Sequence, residues 1–163
     1  MPTPTSERKP AYTPLENKVI HDFFMQQLAK AAWIEEQLEN FRILNATDSP
    51  QFRQSVLDLP ADNRQSLIDL RNIFMLLNES YQTRRDEVTS ILIKKLNSFL
   101  QDGQTNHLGL RTSFIVVSQQ IMHQRMAIYS FLKLISVYTL RTDVAELIRR
   151  ITAVNPIGLP KYI

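Results

Sequence analysis

The chain has 163 residues, 44% of them hydrophobic and 21% charged, which suits a single domain with a sizeable core. It contains no cysteine, so disulfide frameworks, thiolate metal sites and cysteine nucleophiles are excluded. Its formal net charge of +3 is unevenly placed, because residues 1–103 carry 12 Lys and Arg against 14 Asp and Glu, and residues 104–163 carry 7 against 2. The C-terminal half is therefore the basic one.

The N-terminal region changes character near Pro14. Residues 1–13 contain three prolines and are predicted to form a disordered or extended tail. Beyond them the apolar residues repeat with the period of a helix, which predicts a first long helix over about 15–43. One acidic residue interrupts its apolar stripe, which consists of Ile20, Phe24, Leu28, Ala31, Glu35, Leu38 and Phe41.

Helix start signals follow in the middle of the chain. Ser49 as N-cap and Pro50 at the first helical position predict a short helix that ends near Leu57. A second long helix is predicted to begin near Pro60. Its apolar face is expected to hold Leu67, Leu70, Phe74 and Leu77.

The next segment also has helical spacing. Thr83 and Asp86 are typical of a helix cap, and Gly103 is typical of a helix end. The pattern leaves open whether residues 61–101 form one helix or two. The apolar positions between the two signals are Val88, Leu92, Leu96 and Leu100.

The most apolar stretch follows the polar loop "DGQTNH" and predicts another long helix. One charged residue interrupts its stripe, which is Phe114, Val117, Ile121, Arg125, Ile128, Leu132 and Ile135. In the last predicted helix, Asp143 and Glu146 are spaced as a capping box. Its buried side is expected to contain Val144, Leu147, Ile148 and Ile151.

No segment has a convincing strand pattern, so the predicted fold class is all-α. An antiparallel four-helix bundle with a short extra helix fits the number of amphipathic helices. Residues 14–155 are expected to form the bundle and residues 156–163 a C-terminal tail. No run approaches the roughly 18 to 20 uninterrupted apolar residues of a membrane span, so we expect a soluble cytoplasmic protein that does not bind membranes.

Glu35 and Arg125 are the two charged residues that lie on apolar stripes. An uncompensated buried charge costs several kcal/mol, so the two side chains are predicted to form an ion pair in the core. The alternative is that each side chain extends to the edge of the bundle and reaches water.

The sequence offers little for catalysis or for metal binding. A di-metal helical bundle needs Glu-x-x-His pairs, and none occurs here. With three glycines in the whole chain, there is no Gly-rich phosphate loop and no Gly-x-Ser-x-Gly motif. We therefore predict no catalytic residue and no cofactor.

Four segments of the chain have the spacing and residue types of a known family, namely "AWIEEQLENF", "ATDSPQFRQSV", "SLIDLRNIFMLL" and "VSQQIMHQRMAIYSFLKLISVYTLRTDVAELIRRI". They resemble the YciF-like group of ferritin-like bundle proteins, bacterial stress-associated proteins with a metal site of carboxylates and histidines. They cover most of residues 20–152. The resemblance implies a ferritin-like fold.

Most of the metal site of that family is replaced in this chain. The resemblance implies that the first-helix glutamate is kept as Glu35 and one histidine as His123. The family's other ligand positions fall on or near Asp62, Ser66, Met122 and Arg125. The guanidinium of Arg125 would then neutralise Glu35 where the family has a cation.

These observations predict a non-catalytic protein that acts by association, as a homodimer or with a protein partner, and the resemblance implies a stress-related role. The exposed strip for such association is expected to contain Phe23, Trp33, Tyr129, Phe131 and Tyr138. One alternative is a metal-binding or oxidase-like bundle whose single ion is held by Glu35, Asp62 and His123. Another is a regulatory protein that binds nucleic acid through its basic C-terminal half.

Overall fold

The computed structural model describes residues 17–45, 63–101 and 108–154. These residues form five helices and contain no strand, which confirms the all-α class for the described part of the chain. The helices are α1 (Lys18–Asn45), α2 (Asn63–Leu76), α3 (Glu87–Gln101), α4 (Leu108–Tyr138) and α5 (Thr142–Val154). None of them is long and apolar enough to cross a lipid bilayer. The predicted tails 1–13 and 156–163, and the predicted helix 49–57, lie outside the described residues.

The predicted stripes of α1 and α4 are the sides that these helices bury. Every predicted stripe residue of α1 from Phe24 to Phe41 is buried, and so is every stripe residue of α4 from Phe114 to Leu132. Ile20 and Ile135, at the outer ends of the stripes, are partly buried. Both helices exceed seven turns at 3.6 residues per turn, so the core side of each is fixed by many positions.

Residues 61–101 contain two helices, because α2 ends at Leu76 and α3 begins at Glu87. Asn78 ends α2 with a positive φ of 55°, and Glu79 N donates to the carbonyl of Phe74 at 2.9 Å. This is the Schellman geometry, in which a left-handed residue satisfies the last free carbonyls of a helix. Leu140 ends α4 in the same way, with a φ of 58°.

The main helix contacts are those of α1 with α2, α1 with α4, α2 with α5, α4 with α5, and α3 with α4. Neighbouring helices run antiparallel, so their beginnings contact their partners' ends. In α1 and α4, for example, Phe23 contacts Phe131 and Phe41 contacts Phe114. The helices α1, α2, α5 and α4 therefore contact one another in a closed ring, and α3 packs on α4.

The buried side of α2 differs from the predicted one. Leu70 and Phe74 are buried as predicted, but Leu67 and Leu77 are only partly buried. Polar residues take up much of the buried side, which consists of Asn63, Ser66, Asp69, Leu70, Ile73 and Phe74. In α3, the predicted stripe residue Val88 is 52% exposed, whereas Leu96 is fully buried.

Residues 77–86 cross over α1 and connect α2 to α3. Arg84 N donates to the carbonyl of Ala29 at 3.0 Å, and the Tyr81 hydroxyl donates to Glu36 Oε1 at 2.6 Å. At the end of this segment, Asp86 Oδ2 accepts hydrogen bonds from Thr89 N at 2.9 Å and Thr89 Oγ1 at 2.7 Å. Asp86 therefore caps α3, as its sequence position predicts.

Candidate functional site

A buried polar cluster lies where α1, α2 and α4 meet. Glu35 is contributed by α1, Asn63 by the first turn of α2, and Arg125 and Tyr129 by successive turns of α4. Arg125 Nε donates to Glu35 Oε1 at 2.5 Å, and both side chains are completely buried. The structure thus brings together the two charged residues of the apolar stripes.

Glu35 receives hydrogen bonds on both carboxylate oxygens. The Tyr129 hydroxyl donates to Oε1 at 2.8 Å, and Asn63 Nδ2 donates to Oε2. The carboxylate therefore has three donors from two other helices, one of them a cation. Such satisfaction is what allows a charge to be buried, since an unpaired carboxylate in the core costs several kcal/mol.

The guanidinium of Arg125 lies against an aromatic ring. Its Cζ is 4.9 Å from the ring centroid of Tyr129, within the range of a cation–π contact. Within the described residues, Arg125 Nη1 and Nη2 and Asn63 Oδ1 are buried without a hydrogen-bond partner. Arg125 is thus held by one charged hydrogen bond and by the face of Tyr129.

The phenol of Tyr129 is a donor and not a base. Burial raises its pKa well above 10, and the negative charge of Glu35 raises that pKa further, while Arg125 lowers it. The phenol therefore stays protonated at neutral pH and donates to Glu35. With three donors on its carboxylate and a neutral phenol, the cluster is suited to holding helices together rather than to proton transfer.

Two of the three residues named for a metal site, Glu35 and His123, lie apart. Glu35 lies in the buried cluster, whereas His123 is exposed on α4, about 200° around the helix from Arg125. Asp62 lies outside the described residues. Across the three described ranges, no group of three or more His, Asp or Glu side chains could hold a metal ion.

Two members of the cluster were not predicted from the sequence. Tyr129 was expected on the exposed aromatic strip, and this is wrong because its side chain is buried against Arg125. Its position four residues after Arg125 places it on the same helix face and was an available signal. Asn63 lies at the beginning of α2, where asparagine is common because its side chain can cap the helix. Nothing in the sequence therefore indicates its long-range contact with Glu35.

The other candidate site is an exposed apolar surface at the N-terminal end of α1 and the C-terminal end of α4. The rings of Phe23 and Phe131 meet edge to face with centroids 5.0 Å apart. The exposed fractions are 47% for Phe23, 55% for Leu134, 72% for Tyr138 and 77% for Val19. We call these five side chains the α1/α4 face.

The basic residues of the C-terminal half are largely paired with acids. Arg141 forms a salt bridge with Asp143, and Arg149 forms one with Glu146. Arg150 donates through Nε and Nη2 to both oxygens of the buried Asp69 carboxylate, which ties α5 to α2. Since Arg125 is also paired, most of the described arginines of this half already have an acidic partner.

No protein-family model, no curated protein and no solved structure matches this chain.

Proposed function

We propose that this chain is a non-catalytic helical protein that acts by associating with another protein chain through the α1/α4 face. The observation that carries the proposal is the exposure of Val19, Phe23, Leu134 and Tyr138 around one aromatic contact. Contiguous exposed apolar surface of this kind typically marks an interaction site, because leaving it in water is unfavourable. Phe131, whose ring meets that of Phe23, is partly buried, and Trp33, also expected on this strip, is partly buried against the core.

We further propose that the fold is a ferritin-like four-helix bundle formed by α1, α2, α4 and α5. The closed ring of contacts among these helices supports it. So does their connectivity, because α1 and α2 form one antiparallel pair, and α4 and α5 form another. The chain passes from the first pair to the second through residues 77–107, which include α3. Ferritin-like bundles have one such long crossover connection.

The buried polar cluster supports the proposal that the bundle is a degenerate relative of the YciF-like proteins. Asn63 and Ser66 are buried on α2 with the i, i+3 spacing of a Glu-x-x-His pair. They lie on the helix that packs against α1, which carries Glu35. Arg125 supplies the positive charge that a metal ion supplies in carboxylate bundles. A cytoplasmic location and a stress-related role are part of this proposal.

Site-specific photo-crosslinking tests the proposed association. A photoreactive phenylalanine replaces Leu134 on the α1/α4 face or, as a control, Lys94, which is exposed on α3. On irradiation of cells that express the chain, position 134 is expected to give protein adducts that position 94 does not give. Mass spectrometry of the adducts identifies the associated chain. Equal adduct formation at the two positions, or none at either, contradicts the proposal.

A further inference from the structure

We propose that the buried polar cluster is a binding site for water, and that a water molecule is held there between the Arg125 guanidinium and the Asn63 amide. This site is independent of the association through the α1/α4 face. Three buried polar atoms point to it, namely Arg125 Nη1, Arg125 Nη2 and Asn63 Oδ1. In the part of the chain that the structure describes, none of the three has a hydrogen-bond partner.

Arg125 has more donors than Glu35 accepts from it. A guanidinium commonly donates two parallel hydrogen bonds to a carboxylate. Here Nε alone donates, to Oε1 at 2.5 Å, while the other oxygen, Oε2, accepts from Asn63 Nδ2. The N–H groups on Nη1 and Nη2 therefore need an acceptor other than Glu35.

The amide of Asn63 has a fixed orientation. Its nitrogen faces Glu35, because an ionised carboxylate accepts hydrogen bonds and has none to donate. The amide oxygen Oδ1 then needs a donor of its own. Asn63 is only 1% exposed and Arg125 is fully buried, so contact with bulk solvent does not supply the missing partners.

The unpaired atoms surround a single carboxylate. Arg125 Nη1 and Nη2 are each two covalent bonds from Nε, which binds Glu35 Oε1, and Asn63 Oδ1 is two covalent bonds from Nδ2, which binds Oε2. Donors without an acceptor and an acceptor without a donor thus occur in the same cluster. A small ligand that accepts from the guanidinium and donates to the amide satisfies both.

Water is the ligand that this combination selects. Buried waters typically make about three hydrogen bonds to polar groups that otherwise lack a partner, and they act as donors and as acceptors. A small anion could accept from Arg125 but could not donate to Asn63 Oδ1. It would also add a second negative charge to a buried site where Arg125 already balances the charge of Glu35.

A water molecule at this position would link α2 to α4. These two helices lie opposite each other in the closed ring of contacts, where α1 and α5 separate them. Water accepting from Arg125 on α4 and donating to Asn63 on α2 therefore adds a connection across the ring to those that Glu35 makes along it.

A crystal structure of the full chain at a resolution that shows ordered water tests the proposal. The expected result is a solvent peak within about 3.2 Å of Arg125 Nη1 or Nη2 and of Asn63 Oδ1. Crystals soaked in bromide identify an anion, because bromide gives an anomalous peak. The proposal is overturned by an anomalous peak at Arg125, by a protein group that takes these hydrogen bonds, or by the absence of a peak that contacts both side chains.

Magnetic relaxation dispersion of solvent oxygen nuclei checks the site in solution, since it counts water molecules that stay bound longer than the protein takes to tumble. Glu35→Leu combined with Arg125→Met replaces the pair by apolar side chains and should lower the count by at least one. The matched control, Glu146→Leu with Arg149→Met, makes the same changes in an exposed pair and should leave the count unchanged. An equal count in wild type and core variant overturns the proposal. Circular dichroism verifies that both variants are folded, and if the core variant is not, the crystal structure of the wild type decides.

Discussion

Glu35 and Arg125 are separated by 90 residues in the sequence, and their side chains share a 2.5 Å hydrogen bond at a position without solvent exposure. This contact joins α1 to α4, and the contact of Asn63 with the same carboxylate adds α2. Each donor binds a particular oxygen of the Glu35 carboxylate, so shifting any of the three helices by one turn would break at least one of these hydrogen bonds. The cluster thus fixes the relative positions of three helices in a way that apolar contacts alone do not.

Arg125→Ala is expected to be the most destabilising substitution in the cluster. It leaves Glu35 buried with neutral donors only, and loss of one partner of a buried ion pair costs about 3 to 5 kcal/mol. Glu35→Gln also leaves a buried charge, that of Arg125, but it keeps the side-chain volume and an oxygen that can accept from Arg125 and Tyr129, so it is expected to cost less. Urea unfolding followed by circular dichroism measures both. The control is Arg149→Ala, which breaks an exposed pair and should change nothing measurable. Equal losses for Arg125→Ala and Glu35→Gln would contradict this account.

Tyr129 is expected to make the protein sensitive to alkaline pH. The folded state holds the phenolic proton more tightly than the unfolded state, because burial and Glu35 raise the pKa of Tyr129. Its contribution to stability is therefore complete below about pH 10 and falls above it by about 1.4 kcal/mol per pH unit. Tyr129→Phe should be less stable than wild type at pH 8, and the difference should shrink by pH 11.

Urea midpoints at pH 8, 10 and 11 measure this convergence. The control is Tyr138→Phe, which removes an exposed phenol that makes no contact with Glu35. Parallel pH profiles for wild type and Tyr129→Phe would show that the buried phenol does not cause the alkaline loss.

Asp86→Ala is expected to destabilise the start of α3. The carboxylate accepts the hydrogen bonds of Thr89 N and Thr89 Oγ1, and loss of an N-cap costs about 0.5 to 2 kcal/mol. Native-state hydrogen exchange should show faster exchange at the first amides of α3, while the amides of α5 keep their protection. Glu87→Ala, at the exposed next residue, is the control. An unchanged exchange rate at Thr89 would exclude the cap as the cause.

Arg150→Gln is expected to destabilise the contact between α2 and α5. Asp69 is almost completely buried and takes both donors of its bidentate ion pair from Arg150, so the substitution leaves its carboxylate with the Gln65 amide. Arg149→Gln removes the same charge from the neighbouring residue, whose partner Glu146 is exposed. Thermal melts should show a clearly lower midpoint for Arg150→Gln than for Arg149→Gln. Identical midpoints would show that the ion pair of Asp69 with Arg150 stabilises the fold no more than the exposed pair of Glu146 with Arg149 does.

The sequence is most informative where one helical period runs through many turns. In α1 and α4, the apolar spacing defines the core side so well that even the charged exceptions, Glu35 and Arg125, are correctly placed. In α2 the same method is right for Leu70 and Phe74 but misses the buried polar residues Asn63, Ser66 and Asp69. Asn63 and Asp69 are bound by side chains of other helices, and such long-range polar contacts leave no periodic signal in the sequence.

The start of α5 shows a second limit of local reasoning. Asp143 and Glu146 have the spacing of a capping box, but Asp143 pairs with Arg141 and Glu146 pairs with Arg149. The helix begins at Thr142, so Asp143 lies within its first turn and not at the N-cap position that a capping box requires. Arg141 also donates to the carbonyl of Leu76 at 2.9 Å, a contact with α2 that local spacing does not reveal.

The order of the cluster residues along the chain has a consequence for synthesis on the ribosome. Glu35 emerges first and Asn63 soon after, but the cation arrives only with Arg125. Until then, closing α1 and α2 over Glu35 would bury an uncompensated carboxylate at a cost of several kcal/mol. The complete cluster can therefore form only after α4 has left the ribosomal tunnel. A chain that ends before residue 125 lacks both the cation for Glu35 and the helix that packs on α1, so the apolar stripe of α1 stays accessible to proteases and chaperones.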